Sequence, residues 1–468
     1  MRSRARPERV LAVEGTMTGH PDVVVFVPGI AGSALADRHR EIWSGNPFTM
    51  LRGLPALAAP QAGDGVVATR VIRGIGVLPG FLSVDFYGKL GGLLRRGLGL
   101  LPGRNYHEFP YDWRRDNRIS AAELVEKAQR WLHTWRADSG NEQARLVFVA
   151  HSMGGLVARY AVEKLGLWTS TRAVITIGTP HRGAPKAAHV LSSGIARLGW
   201  AEWLTRTVRA MPSAYQLLPV YPCVADGERK LRLAELDGLE GLPRGKVKEG
   251  AAFLYEIEAA ARANAEREKY ELYLNAVVGG HQPTIGAFTL TPGRTLTPQV
   301  IPVHGDGTVP RPSAYPIEWD RPLSSLFVAG KHSSLAGADP AAQHVVGALR
   351  ALAEDWGLAG YRDPAASVAG ALTLDCPDVI VADEPLVVQA TARPAADLRL
   401  SVEPLAGDGP VCRREGGDSW VIPGLRAGCY RVTVHSADPA TSPVSDLVTV
   451  LPPYEEVSDV PPFAADNP

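Results

Sequence analysis

The sequence has no excess of charge of either sign. Its 468 residues include 49 basic and 49 acidic side chains, and the two sets cancel. Proteins that bind nucleic acids or anionic membranes mainly through their net charge carry a clear excess of basic residues. We therefore expect no nucleic acid partner, and we expect function to depend on a local site.

Long hydrophobic runs and cysteines are also scarce. Even the apolar run from Val23 to Val27 ends at Pro28, far short of the roughly 20 residues that a membrane helix needs. The arginine-rich start is not followed by a hydrophobic segment of signal-peptide length, so a cytoplasmic location is the simplest interpretation. The four cysteines show no metal-ligand spacing and are too few for a disulfide framework. We expect no metal and no other cofactor.

Continuous apolar segments are the clearest structural signal in the chain. Such segments are typical of parallel strands that are covered on both faces. Between the first two of these segments, 22–27 and 145–150, the residues Ser120 to Glu123 have the pattern of a helix-capping box. Apolar residues then recur at helical spacing up to Trp135. This alternation predicts an α/β fold with a doubly wound, mostly parallel sheet. The predicted strands are 22–27, 145–150, 173–177, 272–278 and 325–329.

Changes in composition and hydrophobic pattern divide the chain into four parts. Residues 1–20 are expected to form a flexible N-terminus, residues 21–363 an α/β domain, residues 366–452 an all-β sandwich, and residues 453–468 a disordered, proline-rich tail. The sandwich is predicted from short alternating segments with turn residues between them. These segments are 372–374, 386–390, 398–402, 420–422, 429–434 and 447–450.

A long insertion, residues 184–270, interrupts the α/β pattern. Within it, Trp200 and Trp203 share one helical face with other apolar residues. Two interpretations stay open: an ordinary amphipathic helix that covers the core, or a mobile cap over an apolar site. The length of the insertion favours the cap, in which both tryptophans would line the substrate.

A candidate nucleophile follows the second predicted strand. Residues 150–155 read Ala-His-Ser-Met-Gly-Gly, and apolar residues at helical spacing follow them. A strand, a tight turn centred on serine and a helix form a nucleophile elbow, which needs small residues such as Ala150 and Gly154 on both sides of the serine. Ser152 would then lie at a helix N-terminus, where the N–H of Met153 can stabilise an oxyanion. The alternative is an unreactive helix start.

The partners of such a serine are expected in the order serine, acid, histidine. His332 follows the last predicted strand, where a loop projects side chains over the edge of a sheet. Asp306 lies between two glycines upstream of it, although an Asp-Gly pair also marks a simple Asx turn. A second oxyanion donor is expected from the glycine-containing loop after the first strand, and we assign it to the N–H of Ile30.

With these motifs in place, the chain resembles the lecithin:cholesterol acyltransferase-like branch of the α/β-hydrolases, which includes lysosomal phospholipase A2 and bacterial and plant relatives. The most discriminating match is Pro-Tyr-Asp-Trp-Arg at 110–114, since general lipases have the elbow without it. Residues 424–432 also resemble bacterial immunoglobulin-like domains. The other matches lie at 27–33, 42–43, 109, 150–155, 178–183, 212–219, 305–310 and 332.

The resemblance implies acyl transfer from a lipid ester through a serine acyl-enzyme. Ser152 would be the nucleophile, Asp306 and His332 its partners, and the N–H groups of Ile30 and Met153 the oxyanion donors, without a metal. Trp113 is a further candidate for lining the acyl site, although an aromatic residue beside Arg114 is as often a packed structural pair.

The favoured interpretation is a serine lipase or O-acyltransferase that passes an acyl group to water or an alcohol. Two alternatives stay open: a short-chain or polymer esterase, and an inactive hydrolase fold that binds an acyl ligand while its β segment recruits a partner. Peripheral membrane contact, and a protein or glycan partner of the β segment, are also open. Because that segment begins after His332, we expect a chain without residues 366–468 to keep activity on small soluble esters.

Overall fold

The structure is a computed structural model. It describes residues 20–38, 40–44, 49, 53, 57, 65–73, 77–78, 82–83, 87–194, 199–319, 325–353, 371–382, 384–393, 395–405, 412–438, 441 and 443–452. Nearly all of the predicted N-terminal segment, the predicted boundary at 363–366 and the tail 453–468 lie outside these residues.

A six-stranded sheet forms the centre of the α/β part, and all of its paired strands run parallel. Its middle strands consist of buried apolar residues, which is why they appear in the sequence as unbroken hydrophobic runs. The predicted α/β-hydrolase fold class is confirmed, and the five predicted strands all form. In spatial order the strands are Ser325–Ala329, Tyr273–Gly280, Thr171–Ile177, Leu146–His151, Val23–Val27 and Tyr106–Glu108.

Helices connect these strands. None of the helices within the described ranges combines the length and the apolar character needed to cross a membrane. The α-helices are Tyr87–Leu98, Asn117–Ser139, Met153–Arg159, Pro185–Ser193, Gly199–Ala210, Pro212–Tyr215, Arg244–Ala265, His332–Leu335 and Asp339–Ala353. A π-helical turn spans Tyr160–Lys164, and 3-10 turns span Leu167–Ser170, Leu233–Glu235 and Arg311–Ser313.

The predicted capping box at Ser120 is wrong. The helix begins at Asn117, and the Asp116 side chain accepts the N–H of Arg118 at 2.8 Å. Gln216 Oε1 accepts the N–H of Asn117 at 2.8 Å. A distant side chain thus satisfies one of the first N–H groups, and local sequence spacing cannot reveal that contact.

Smaller sheets flank the central one. Two hairpins form a four-stranded sheet from Val224–Asp226, Arg229–Leu231, Gln282–Thr291 and Thr295–Gly305. The longer hairpin was not predicted, because prolines at 283, 298 and 302 argue against regular strands. A three-stranded sheet contains Ser33–Ala36, Glu41–Trp43 and Val67–Val71, and a two-stranded one contains Val77–Leu78 and Leu82–Ser83.

The C-terminal β segment, residues 371–452, consists of a three-stranded and a five-stranded sheet around one apolar core that includes Leu400, Val432 and Val448. All six predicted strands form. Two more were missed, one of them because three of its four residues are charged. The strands are Ala371–Asp375, Val379–Val381, Leu386–Arg393, Leu398–Pro404, Cys412–Glu415, Ser419–Ile422, Gly428–Ser436 and Val444–Leu451.

A buried cation lies on the helix that follows the elbow. The Arg159 guanidinium is fully buried, lies 3.6 Å from the carboxylate of Glu163 and pairs with Glu318. Glu163 also accepts hydrogen bonds from Tyr270 Oη at 2.8 Å and Asn264 Nδ2 at 3.0 Å. These contacts attach the helix to two distant segments of the chain.

We expect Arg159→Met to lower the free energy of unfolding by about 3–5 kcal/mol, because two carboxylates would stay buried without their cation. Urea denaturation measures this loss. The matched control is Arg262→Met, which removes the mainly exposed pair of Arg262 with Glu258 and should cost about 0.5 kcal/mol or less. Equal losses in the two variants would contradict the prediction.

Candidate active site

Ser152 lies at the turn between the strand Leu146–His151 and the helix Met153–Arg159. Its backbone has φ 52° and ψ −127°, a conformation that non-glycine residues rarely adopt. The helix also passes very close to the loop after the first strand, since a Cβ on Gly154 would lie 2.3 Å from Pro28 O. The motif therefore needs glycine at 154, and the turn has the geometry of a nucleophile elbow.

The structure brings Ser152, His332 and Asp306 together. His332 Nε2 lies 2.9 Å from Ser152 Oγ, and His332 Nδ1 lies 2.7 Å from Asp306 Oδ2. All three side chains are buried. With the proton on Nδ1 donated to the carboxylate, Nε2 is free to accept the proton of the serine hydroxyl. These distances match those expected for a serine nucleophile, its base and an orienting acid, and the catalytic roles of the three residues stay a prediction.

Asp306 forms the Asx turn and contacts the histidine at the same time. Its Oδ1 accepts the N–H groups of Thr308 at 2.9 Å and Val309 at 2.7 Å, while Oδ2 receives His332 Nδ1–H. Its backbone carbonyl accepts the N–H of His332 at 2.8 Å. The two interpretations left open by the sequence are therefore compatible, because each uses a different oxygen of one carboxylate.

Two glycines make room for this pair at the ends of neighbouring strands. A Cβ on Gly279 would lie 2.5 Å from Asp306 Cβ. Gly178 has φ 58°, and a Cβ there would lie 3.2 Å from His332 Nδ1. Sequence reasoning did not assign either glycine, since the side chains they face are far away in the chain.

The loop that carries Ile30 packs against the elbow. A Cβ on Gly29 would lie 2.9 Å from Ser152 Cβ, so this backbone passes directly beside the nucleophile. Met153 is the first residue of its helix, and the first N–H groups of a helix lack intrahelical acceptors. Both predicted donors thus belong to backbone segments next to Ser152, and their role in binding an oxyanion stays a prediction.

Three aromatic side chains donate hydrogen bonds to carbonyl groups of that loop. Tyr111 Oη donates to Pro28 O at 3.0 Å, Trp113 Nε1 to Ser33 O at 3.0 Å, and Trp43 Nε1 to Ala31 O at 2.9 Å. These three hydrogen bonds fix the loop backbone next to Ser152. Tyr111 and Trp113 of the Pro-Tyr-Asp-Trp-Arg motif therefore support the loop that carries Ile30, a role that the sequence did not reveal.

The predicted substrate-lining tryptophans fall into two groups. Trp113 is fully buried and packs edge-on against Trp43 with ring centroids 5.1 Å apart, which gives it a supporting place behind the loop. Trp200 and Trp203 belong to the helix Gly199–Ala210, but their side chains lie outside the described residues. Their contact with substrate stays a prediction.

A second histidine connects the parts of the site. The Gly29 N–H donates to Tyr87 Oη at 2.9 Å, and Tyr87 Oη lies 2.7 Å from His151 Nδ1. His151 Nε2 lies 3.1 Å from the carbonyl oxygen of His332. Because this carbonyl can only accept, the proton of neutral His151 is on Nε2, and Tyr87 donates to Nδ1. This series of hydrogen bonds links the loop that carries Gly29 and Ile30, the strand that ends at His151 and the short helix that begins at His332.

Burial, followed by the nearby charge of His332, lowers the pKa of His151 from 6.5 to about 3. The unfolded chain binds a proton at this residue below about pH 6.5, but the folded protein does so only near pH 3. The stability contributed by neutral His151 is thus full above pH 6.5 and is lost as the pH falls toward 3, at up to about 1.4 kcal/mol per pH unit.

We expect His151→Gln to flatten the dependence of unfolding free energy on pH between 6.5 and 3, because glutamine can keep both hydrogen bonds without titrating. Denaturant unfolding at several pH values measures the slope. His133→Gln, at an exposed position, is the control and should leave the slope unchanged. An unchanged slope in His151→Gln would contradict a buried neutral imidazole.

Within the described ranges, no group of three histidine, cysteine, aspartate or glutamate side chains is arranged to hold a metal ion.

Comparison with known proteins gives one family. Residues 86–231 match the family described as lecithin:cholesterol acyltransferase. This segment includes Tyr87, the Tyr-Asp-Trp-Arg motif and Ser152, and it ends before Asp306 and His332. No curated protein sequence matches the chain.

Solved structures similar to the chain include two bacterial enzymes. The mature form of the lipase BlEst2 from Bacillus licheniformis is 15% identical, with 72% of this chain and 95% of that chain covered and a TM-score of 0.33. The phospholipase PlaB from Legionella pneumophila is 10% identical, with 92% of each chain covered and a TM-score of 0.33. The fold assignment therefore rests on the parallel sheet and the elbow. Together with the family match, these features identify the chain as an α/β-hydrolase that resembles the lecithin:cholesterol acyltransferase family over residues 86–231.

Proposed function

We propose that the chain is a serine-dependent lipase or O-acyltransferase that acts on a lipid ester. The single observation that carries this proposal is the position of His332 Nε2, 2.9 Å from Ser152 Oγ, with Asp306 on the other ring nitrogen. A buried serine without a base would be a weak nucleophile, whereas this one has a proton acceptor and an orienting carboxylate.

In the proposed reaction Ser152 Oγ attacks the ester carbonyl carbon while its proton moves to His332 Nε2. The carbonyl oxygen becomes an oxyanion that accepts hydrogen bonds from the N–H groups of Ile30 and Met153. The imidazolium, held by Asp306, then gives its proton to the leaving alkoxide, and the acyl group stays on Ser152. Water or an alcohol then attacks the acyl group while His332 accepts its proton. The acyl group leaves, and the proton returns to Ser152 Oγ.

A lipid acyl donor is favoured by the family match, because lecithin and cholesterol in the family's description are lipids. The acceptor depends on access of water to the acyl-enzyme. Water at ~55 M is outcompeted only where a cover excludes it and a site holds an alcohol. The apolar insertion around Trp200 and Trp203 is the part of the chain proposed to supply such a cover.

The experiment is to give the purified chain a phospholipid with a labelled acyl group, with and without a long-chain alcohol, and to separate the lipid products. Labelled fatty acid together with a new labelled ester is the expected result, and Ser152→Ala is the blank. Cleavage of acetyl esters alone, with free acid as the only product, would favour the short-chain esterase. Binding of the phospholipid without any turnover would favour the acyl-binding alternative.

A further inference from the structure

The C-terminal β segment meets the α/β part at the loop that carries His332. Asp446, on the strand Val444–Leu451, is buried at this junction. Its Oδ1 lies 2.8 Å from Ser333 Oγ, which donates to it, and its Oδ2 lies 3.1 Å from Lys331 Nζ. One carboxylate of the β segment thus contacts the residues immediately before and after the candidate base.

These two contacts act on a short segment. Lys331 caps the four-residue helix that begins at His332, and its carbonyl accepts the N–H of Ser334 at 3.1 Å. A helix of one turn has little stability of its own, so its orientation depends on what holds its ends. Asp446 holds the first turn through side chains on both sides of the imidazole.

The charges at the junction are matched. Burial by itself lowers the pKa of Lys331, but the facing groups, with Asp446 first and then Cys376 and Asp378, raise it above its usual value. Lys331 is therefore an ammonium group whose side chain is mostly buried, with 13% exposed. A buried charge that loses its partner makes its surroundings rearrange, and the surroundings here include His332.

We propose that Asp446 is a positioning residue for His332, so that the C-terminal β segment completes the active site of the α/β part. This inference rests on the proposed function. It reverses the expectation from the sequence, since a chain without residues 366–468 would lose both contacts and, with them, turnover of even a small soluble ester.

The test is Asp446→Asn in the full-length chain, assayed with a soluble chromogenic ester. Asparagine keeps an acceptor for Ser333 but presents a neutral amide to Lys331. We expect kcat to fall about 10- to 100-fold with KM within twofold, the size of effect produced by a base displaced by about 1 Å.

Two further variants make the result decisive. Ser333→Ala removes only one contact of Asp446, so it serves if Asp446→Asn does not fold, and it should lower kcat in the same direction. Glu415→Gln is the matched control: it removes a carboxylate of the same β segment whose ion pair, with Arg399 Nε at 3.4 Å, lies within that segment and does not face Lys331. It should keep the wild-type kcat.

Wild-type kcat in a folded Asp446→Asn or Ser333→Ala variant would overturn the proposal, as would an equal loss in Glu415→Gln. Hydrogen exchange at residues 331–335 gives a second readout that needs no turnover, and it should be faster in Asp446→Asn. If the wild-type chain turned over no ester, the proposed function would fail, while unchanged exchange would separately refute the role of Asp446.

Discussion

Replacing Ser152 with alanine is expected to lower kcat for ester hydrolysis by about 10⁶-fold and to abolish covalent labelling by a fluorophosphonate. The reason is that the hydroxyl beside His332 Nε2 is the group from which the base can take a proton. Without it, the oxyanion donors and the binding surfaces remain, but no acyl-enzyme can form.

Mass spectrometry of the labelled protein checks this expectation and should place the adduct on Ser152. The matched control is Ser192→Ala, which removes another serine hydroxyl whose hydrogen bond goes only to the nearby carbonyl of His189. That variant should label and turn over as the wild type does. A Ser152→Ala chain that labels normally would show that the nucleophile is elsewhere.

The second large effect is expected for Asp306→Asn, with a loss of about 10³- to 10⁴-fold in kcat. The new side chain can keep its carbonyl oxygen on the N–H groups of Thr308 and Val309, so the turn is preserved. Its amide nitrogen then faces His332 Nδ1, where two donors meet. The imidazole is driven to the other tautomer, with its proton on Nε2, and can no longer accept the proton of Ser152.

Steady-state kinetics, together with a thermal melt that shows an intact fold, test this variant. Asp138→Asn, at an exposed position, controls for the general effect of losing a carboxylate and should be neutral. Wild-type turnover in Asp306→Asn would mean that a different acid orients the base. A large drop in melting temperature would instead show that the Asx turn was lost.

Five of the six strands of the central sheet and the elbow were predictable because their signals are local, whereas the short, mainly polar edge strand Tyr106–Glu108 was missed. A strand buried on both faces must be apolar throughout, and a sharp turn next to a passing backbone must have glycine at 154. The expected order of nucleophile, acid and base, the position of His332 after a strand and the glycines on both sides of Asp306 then selected these two residues. The structure brings both to the serine that the motif indicated.

Other parts of the site are not encoded in any local pattern. Tyr87 and His151 are 64 residues apart in the chain. Their contact, with Tyr87 Oη 2.7 Å from His151 Nδ1, forms only when the chain folds. Asp446 lies in a strand of ordinary composition, and its contact with Lys331 depends on how two parts of the chain meet. The long hairpin after Gly280 was missed for a different reason, because its prolines contradict the usual rule for strands.

The left-handed backbone of Ser152 has a consequence for how this sequence evolves. A non-glycine residue held at φ 52° stores about 1–3 kcal/mol of strain, which glycine would largely relieve. A Ser152→Gly chain would therefore be more stable and inert. Selection for folding or abundance alone would favour losing the serine. In a lineage that no longer used the reaction, we therefore expect Ser152 to be among the first residues replaced.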